Sequence, residues 1–154
     1  MIPAARRRAR WVVPAACAVL LSLVAACTPA SPSPSTYRER TKLAVTDTIS
    51  HVETARIVLE ASRTQRFTGP YALSTVRASE ETLSKVTGSY AELYPPRELD
   101  RLFVRTSSLL GDASDLLTES RIALKRDERS RYPSLVADLD RLGKQLEDLE
   151  KRLS

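Results

Sequence analysis

The chain holds few residues that could do chemistry: one histidine, His51, and two cysteines, Cys17 and Cys27. A zinc site takes three or four Cys, His or carboxylate ligands, and a di-iron bundle requires a Glu-x-x-His motif on two helices. Neither pattern occurs, so no metal ligand and no cofactor is expected, and His51 reads as an ordinary half-buried or solvated side chain. The carboxylate pairs Glu80-Glu81 and Asp138-Asp140 sit too close in sequence to face each other across a cleft, as acid/base hydrolysis demands. They read as solvated faces. Ser74, Ser79, Ser84 and Ser89 lack a base and an orienting partner, and Gly69, Gly88, Gly111 and Gly143 never cluster into a phosphate-cradling loop. No catalytic residue is assigned, and the chain reads as non-enzymatic. The three glycines within helices, Gly88, Gly111 and Gly143, are expected to mark close helix approach.

One group stands apart. Tyr90, Tyr94, Pro95, Pro96 and Arg97 place two aromatic rings, two prolines and a cation at one helix junction, a composition that can dock a peptide or ligand. They form the candidate interaction surface, although packing around the turn is the more ordinary account of such residues.

Charge excludes one class of partner. The whole chain carries 24 Lys and Arg against 19 Asp and Glu. Arg6, Arg7, Arg8 and Arg10 precede Cys27 and no acid does, which leaves 20 against 19 beyond it, a balance of +1. Phosphate binding requires a clustered excess of cations, so no nucleic acid is expected as partner. Met1 and Trp11, the only Met and the only Trp, also lie upstream of Cys27.

That upstream segment has three parts: a cationic start over residues 1–10, the apolar run WVVPAACAVLLSLVAA over 11–26, and the polar stretch TPASPSPS after Cys27. This is the layout of a secretory signal. The apolar run is shorter than the roughly 20 residues of a spanning helix, and Pro14 interrupts it. Its last residues, Val24, Ala25, Ala26 and Cys27, resemble the bacterial lipobox. The resemblance implies cleavage between Ala26 and Cys27, removal of residues 1–26 as a signal peptide, and a lipid anchor on Cys27 built from palmitate-type acyl chains. The Ala- and Arg-rich signal with its Pro/Ser-rich tether is similar to those of small lipoproteins of high-GC Gram-positive bacteria, which implies the outer face of the cytoplasmic membrane. Residues 27–36 are expected to act as lipidated terminus and extended tether.

From residue 37 onward apolar residues recur every three or four positions, the helical signature. Leu135, Leu139, Leu142, Leu146, Leu149 and Leu153 step by 4, 3, 4, 3 and 4, a narrow seam against a partner helix. A wider stripe runs through Leu99, Leu102, Phe103, Thr106, Leu109, Leu110, Ala113, Leu116, Leu117 and Leu124. A weaker one joins Val45, Thr48, Ile49, Val52, Ala55, Leu59 and Ser62, and another joins Leu73, Val76, Leu83, Val86, Tyr90 and Leu93. Helices are predicted over about 37–66, 70–94, 96–126 and 131–153, broken at Gly69-Pro70, at Pro95-Pro96 and near Ser130, the favoured N-cap ahead of Pro133. Short connections make these an all-α, up-down antiparallel four-helix bundle; the alternative is a three-helix bundle with a loosely packed first helix. The first two helices carry more Thr and Ser at core positions and are expected to be the less stable half. Tyr132 and Pro133 should lie at the end opposite Tyr90.

The expectation is a membrane-anchored extracytoplasmic module that binds an envelope protein or itself. The alternative is a small-ligand receptor with a cavity lined by Thr48, Ser62, Ser79 and Tyr90.

Overall fold

The computed structural model describes residues 33–154. Four helices follow one another: α1 (Pro34–Arg63), α2 (Gly69–Ala91), α3 (Asp100–Lys125) and α4 (Tyr132–Leu153). Single 3-10 turns at Arg97–Leu99 and Arg129–Arg131 lead into α3 and α4. Sequential neighbours pack on one another, α1 packs most extensively on α4, and α1 and α3 also touch across the interior. The result is the up-down four-helix bundle predicted from the apolar periodicity. No helix among the described residues is long and apolar enough to cross a membrane.

Each helix start has a local cause. Ser33 Oγ accepts a hydrogen bond from the Thr36 backbone N–H at 3.2 Å, and Pro34 occupies the first turn, where its missing N–H costs nothing. α1 therefore begins at Pro34, and Pro34, Ser35 and Thr36, expected in the tether, form its first turn. Pro70 and Pro133 likewise stand in the first turns of α2 and α4, whose cap residues make no side-chain hydrogen bond. Ser130 is not the N-cap of α4: it lies within the 3-10 turn, and Arg131 holds the cap position. Pro95 and Pro96 precede the third helix rather than opening it, because the chain first makes the turn at Arg97–Leu99.

Two helices close without glycine; the end of α3 at Lys125 matches the expected 126, and the end of α1 does not. α1 stops at Arg63, three residues before the expected end. The Gln65 N–H donates to Ser62 O at 3.2 Å and the Arg66 N–H to Ala61 O at 2.8 Å, while Gln65 takes φ 57°. α3 ends alike, with the Asp127 N–H on Leu124 O, the Glu128 N–H on Ala123 O at 2.9 Å, and Asp127 at φ 51°. Both are Schellman closures with a left-handed residue that is ordinarily glycine.

The leucine seam of α4 is buried from Leu135 to Leu149 and packs with Val45, Val52, Leu59, Val76, Leu83, Leu109 and Leu117. A loosely packed first helix is overturned: α1 buries Tyr37, Thr41, Val45, Thr48, Val52, Ala55, Val58 and Leu59. Its core hydroxyls are satisfied within the helix, Thr41 Oγ1 donating to Tyr37 O at 2.9 Å and Thr48 Oγ1 to Ala44 O at 2.7 Å. A threonine that bonds the preceding turn can occupy an apolar interface without an unpaired donor. The glycines do not mark close approach. A Cβ added at Gly88 or Gly111 would meet nothing within 4 Å, and one at Gly143 would reach only Val52 Cγ1, at 4.0 Å.

Candidate functional site

The structure separates the junction residues that the sequence grouped. Tyr90, in the last turn of α2, is buried in a second small core with Tyr37, Leu99 and Leu110. Its ring stacks on Phe103 with centroids 5.7 Å apart, and its hydroxyl lies 3.0 Å from that of Tyr37. Tyr94 points outward and is 74% exposed, Pro95 and Pro96 are half-buried, and Arg97 is exposed. Tyr90 is thus a packing residue, and the outward part of the group is Tyr94 with Arg97.

Tyr37, Tyr90 and Phe103 together lock three helix ends. Thr41 Oγ1 stands 3.5 Å from the Tyr90 hydroxyl, which leaves the cluster polar at its centre and apolar around it. Burial pushes the Tyr37 phenol well above its ordinary value, and the bond to Tyr90 and the charge of Asp100 add to the rise. A phenol so held is a neutral structural donor. Tyr37 and Thr41 lie within the predicted 37–66 helix and continue the stripe of Val45, Thr48 and Val52 backward at steps of four, so the same periodicity, extended to the helix start, could have revealed them. Beside the cluster, Arg40, Leu43, Ala44, Ser89, Tyr90, Glu92 and Leu93 line an open groove of about 430 Å³ between α1 and α2.

A second polar constellation joins α2 to α3. Glu80 receives Arg121 Nε at 2.5 Å and Thr118 Oγ1 at 2.8 Å, while its neighbour Glu81 pairs with Arg77 on the outer surface. Consecutive residues project about 100° apart on a helix, so one carboxylate faces α3 and the other faces water. Glu80 is therefore an inter-helix tie and not part of a solvated face. Above it, Pro70, Leu73, Ser74, Arg77, Glu81 and Lys125 border an open groove of about 530 Å³. Asp138 and Asp140 each hold a cation of their own helix, Arg141 at 2.9 Å and Lys144 at 2.6 Å.

The remaining candidates are dispersed. His51 is half-buried on α1, and the described residues contain no group of three or more His, Cys, Asp or Glu that could hold a metal ion. The cavity expected from Thr48, Ser62, Ser79 and Tyr90 does not form. Ser62 lies 25 residues beyond Tyr37, roughly 37 Å along α1 from the end where Tyr90 sits. Tyr132 is buried where α3 gives way to α4, at the end remote from Tyr90. Ala26 and Cys27 lie outside the described residues. No family model, curated protein or solved structure matches the chain.

Proposed function

We propose that the chain is a lipid-anchored extracytoplasmic protein whose helical bundle is a non-enzymatic interaction module for an envelope protein or a second copy of itself. The observation that carries the reading is Val24-Ala25-Ala26-Cys27, standing where the apolar run stops. A cysteine in that position can take a diacylglyceryl group, and two or more acyl chains hold a protein on a bilayer where one does so only marginally. A bundle whose polar contacts tie helix to helix, with charge over its exterior, suits a role in which surface recognition does the work.

Mass measurement of the protein purified from its own cells tests the anchor. A chain that begins at Cys27 and carries the added mass of diacylglycerol is expected. An intact leader, or a trimmed chain without lipid, overturns the proposal. In-cell crosslinking of the anchored protein then tests the module, and failure to recover either a specific envelope protein or a homo-oligomer counts against it.

A further inference from the structure

The 3-10 turn ahead of α3 and the first turns of α3 carry an arrangement that the bundle does not use. Arg97, Arg101 and Arg105 recur every four residues and are all exposed. Arg101 and Arg105, one turn apart on α3, share a face and repel each other by a few tenths of a kcal/mol, and Arg97 precedes them in the 3-10 turn. None of the three forms an ion pair among the described residues. At the other end of the bundle Arg63, Arg129 and Arg131 each hold a carboxylate. Glu98 and Asp100, the acids beside the ladder, are exposed and form no ion pair with these arginines among the described residues.

Two exposed apolar side chains accompany the cations. Val104 lies between Arg101 and Arg105 and is 66% exposed, and Tyr94, just before the ladder, is 74% exposed. An aromatic ring at the rim of a basic, partly apolar strip is the composition of a membrane-interface contact.

The position of this strip matches that chemistry. The Tyr37–Tyr90 bond and the Tyr90–Phe103 stack place the start of α1, the end of α2 and the start of α3 at one end of the bundle. Because α1 is capped by Ser33, five residues separate Cys27 from the folded part, a reach over six chain steps of about 20 Å. We propose that the face of Arg97, Arg101, Val104 and Arg105, with Tyr94 at its edge, lies on an anionic phospholipid surface beside the anchor. The proposal rests on the lipid-anchor reading. The short leash keeps this end within reach of the headgroups, and the phosphates supply the ion-pair partners that these three arginines lack among the described residues.

The test uses the full chain, isolated in its anchored form, with Tyr94→Trp as reporter, since the part from Cys27 onward contains no other tryptophan. It is reconstituted into phosphatidylcholine vesicles with or without phosphatidylglycerol, and quenching by brominated lipids is read. The ring at position 94 is expected to be quenched several-fold more in the anionic vesicles, the difference vanishing at high salt. Each arginine near the surface contributes about fivefold to the occupancy of the docked state. Replacing Arg97, Arg101 and Arg105 together by Gln abolishes the difference, and replacing them by Lys restores most of it. Circular dichroism confirms that each variant is folded. A mass without lipid sinks the anchor reading; a correctly lipidated chain quenched equally in both vesicles sinks this proposal alone, and would leave an acidic protein as the partner of the ladder.

Discussion

The hydroxyls of Tyr37 and Tyr90 meet at 3.0 Å across 53 residues of sequence, and through them the start of α1 is fastened to the end of α2. Deleting one hydroxyl removes the short bond and leaves the other with only Thr41 as a long partner, at a cost of about 1 to 2 kcal/mol. Tyr90→Phe and Tyr37→Phe are each expected to lower stability by that amount in urea titration, and the double variant to lose little more than either. Strictly additive losses would show that the two hydroxyls do not interact.

The same pair predicts an alkaline weakness. The folded Tyr37 phenol titrates above its unfolded value of 10.0, so its contribution is complete below pH 10 and is lost as pH rises from there toward the folded pKa. Denaturation followed between pH 9 and pH 11.5 should show wild type losing stability faster than Tyr37→Phe. Parallel curves would remove the linkage.

Glu80 ties α2 to α3 from a setting where its side chain is 23% exposed and that of Arg121 30%. Glu80→Ala leaves a half-buried guanidinium and the Thr118 hydroxyl without their acceptor, and is expected to destabilise by about 1 to 3 kcal/mol. Glu81→Ala, which loses only a surface pair with Arg77, should cost at most about 1 kcal/mol. Equal effects from the two would mean that Glu80 is no tie.

Gly88 and Gly111 stand inside helices with open space where a Cβ would go. Alanine at either position should stabilise by about 1 kcal/mol, chiefly by restricting the unfolded chain. A thermal midpoint that falls in both variants would point to a need for glycine that packing does not explain.

Gln65 stores the opposite kind of strain, holding φ 57° to close α1. Gln65→Gly removes a left-handed penalty of about 1 kcal/mol or more and should raise the melting temperature, whereas Gln65→Val should lower it. A drop on glycine substitution would contradict the closure.

The anchor has its own variant. Cys27→Ala is expected to remain uncut and to lack the lipid, as read by gel mobility and mass; normal processing with lipid still attached would refute lipidation at Cys27.

The amino-acid order alone showed where apolar faces lie, because a period near 3.6 marks one side of each helix, and the short connections implied an antiparallel course. Leu135 through Leu149 are the plainest case. It also located the turn prolines, because a fixed φ and a missing N–H act locally. That the first helix is a full member of the bundle was decided by its packing on α4. Three further things were decided by tertiary structure. Schellman closures at Gln65 and Asp127 use residues with no local preference strong enough to announce them, and surrounding packing holds their strained φ. The same hydroxyphenyl group became core at Tyr90 and surface at Tyr94, a choice that depends on which neighbouring helix is present to cover it. Glu80 and Glu81 parted for the same reason: only the arrival of Arg121, 41 residues away, distinguishes a tie from a solvated charge.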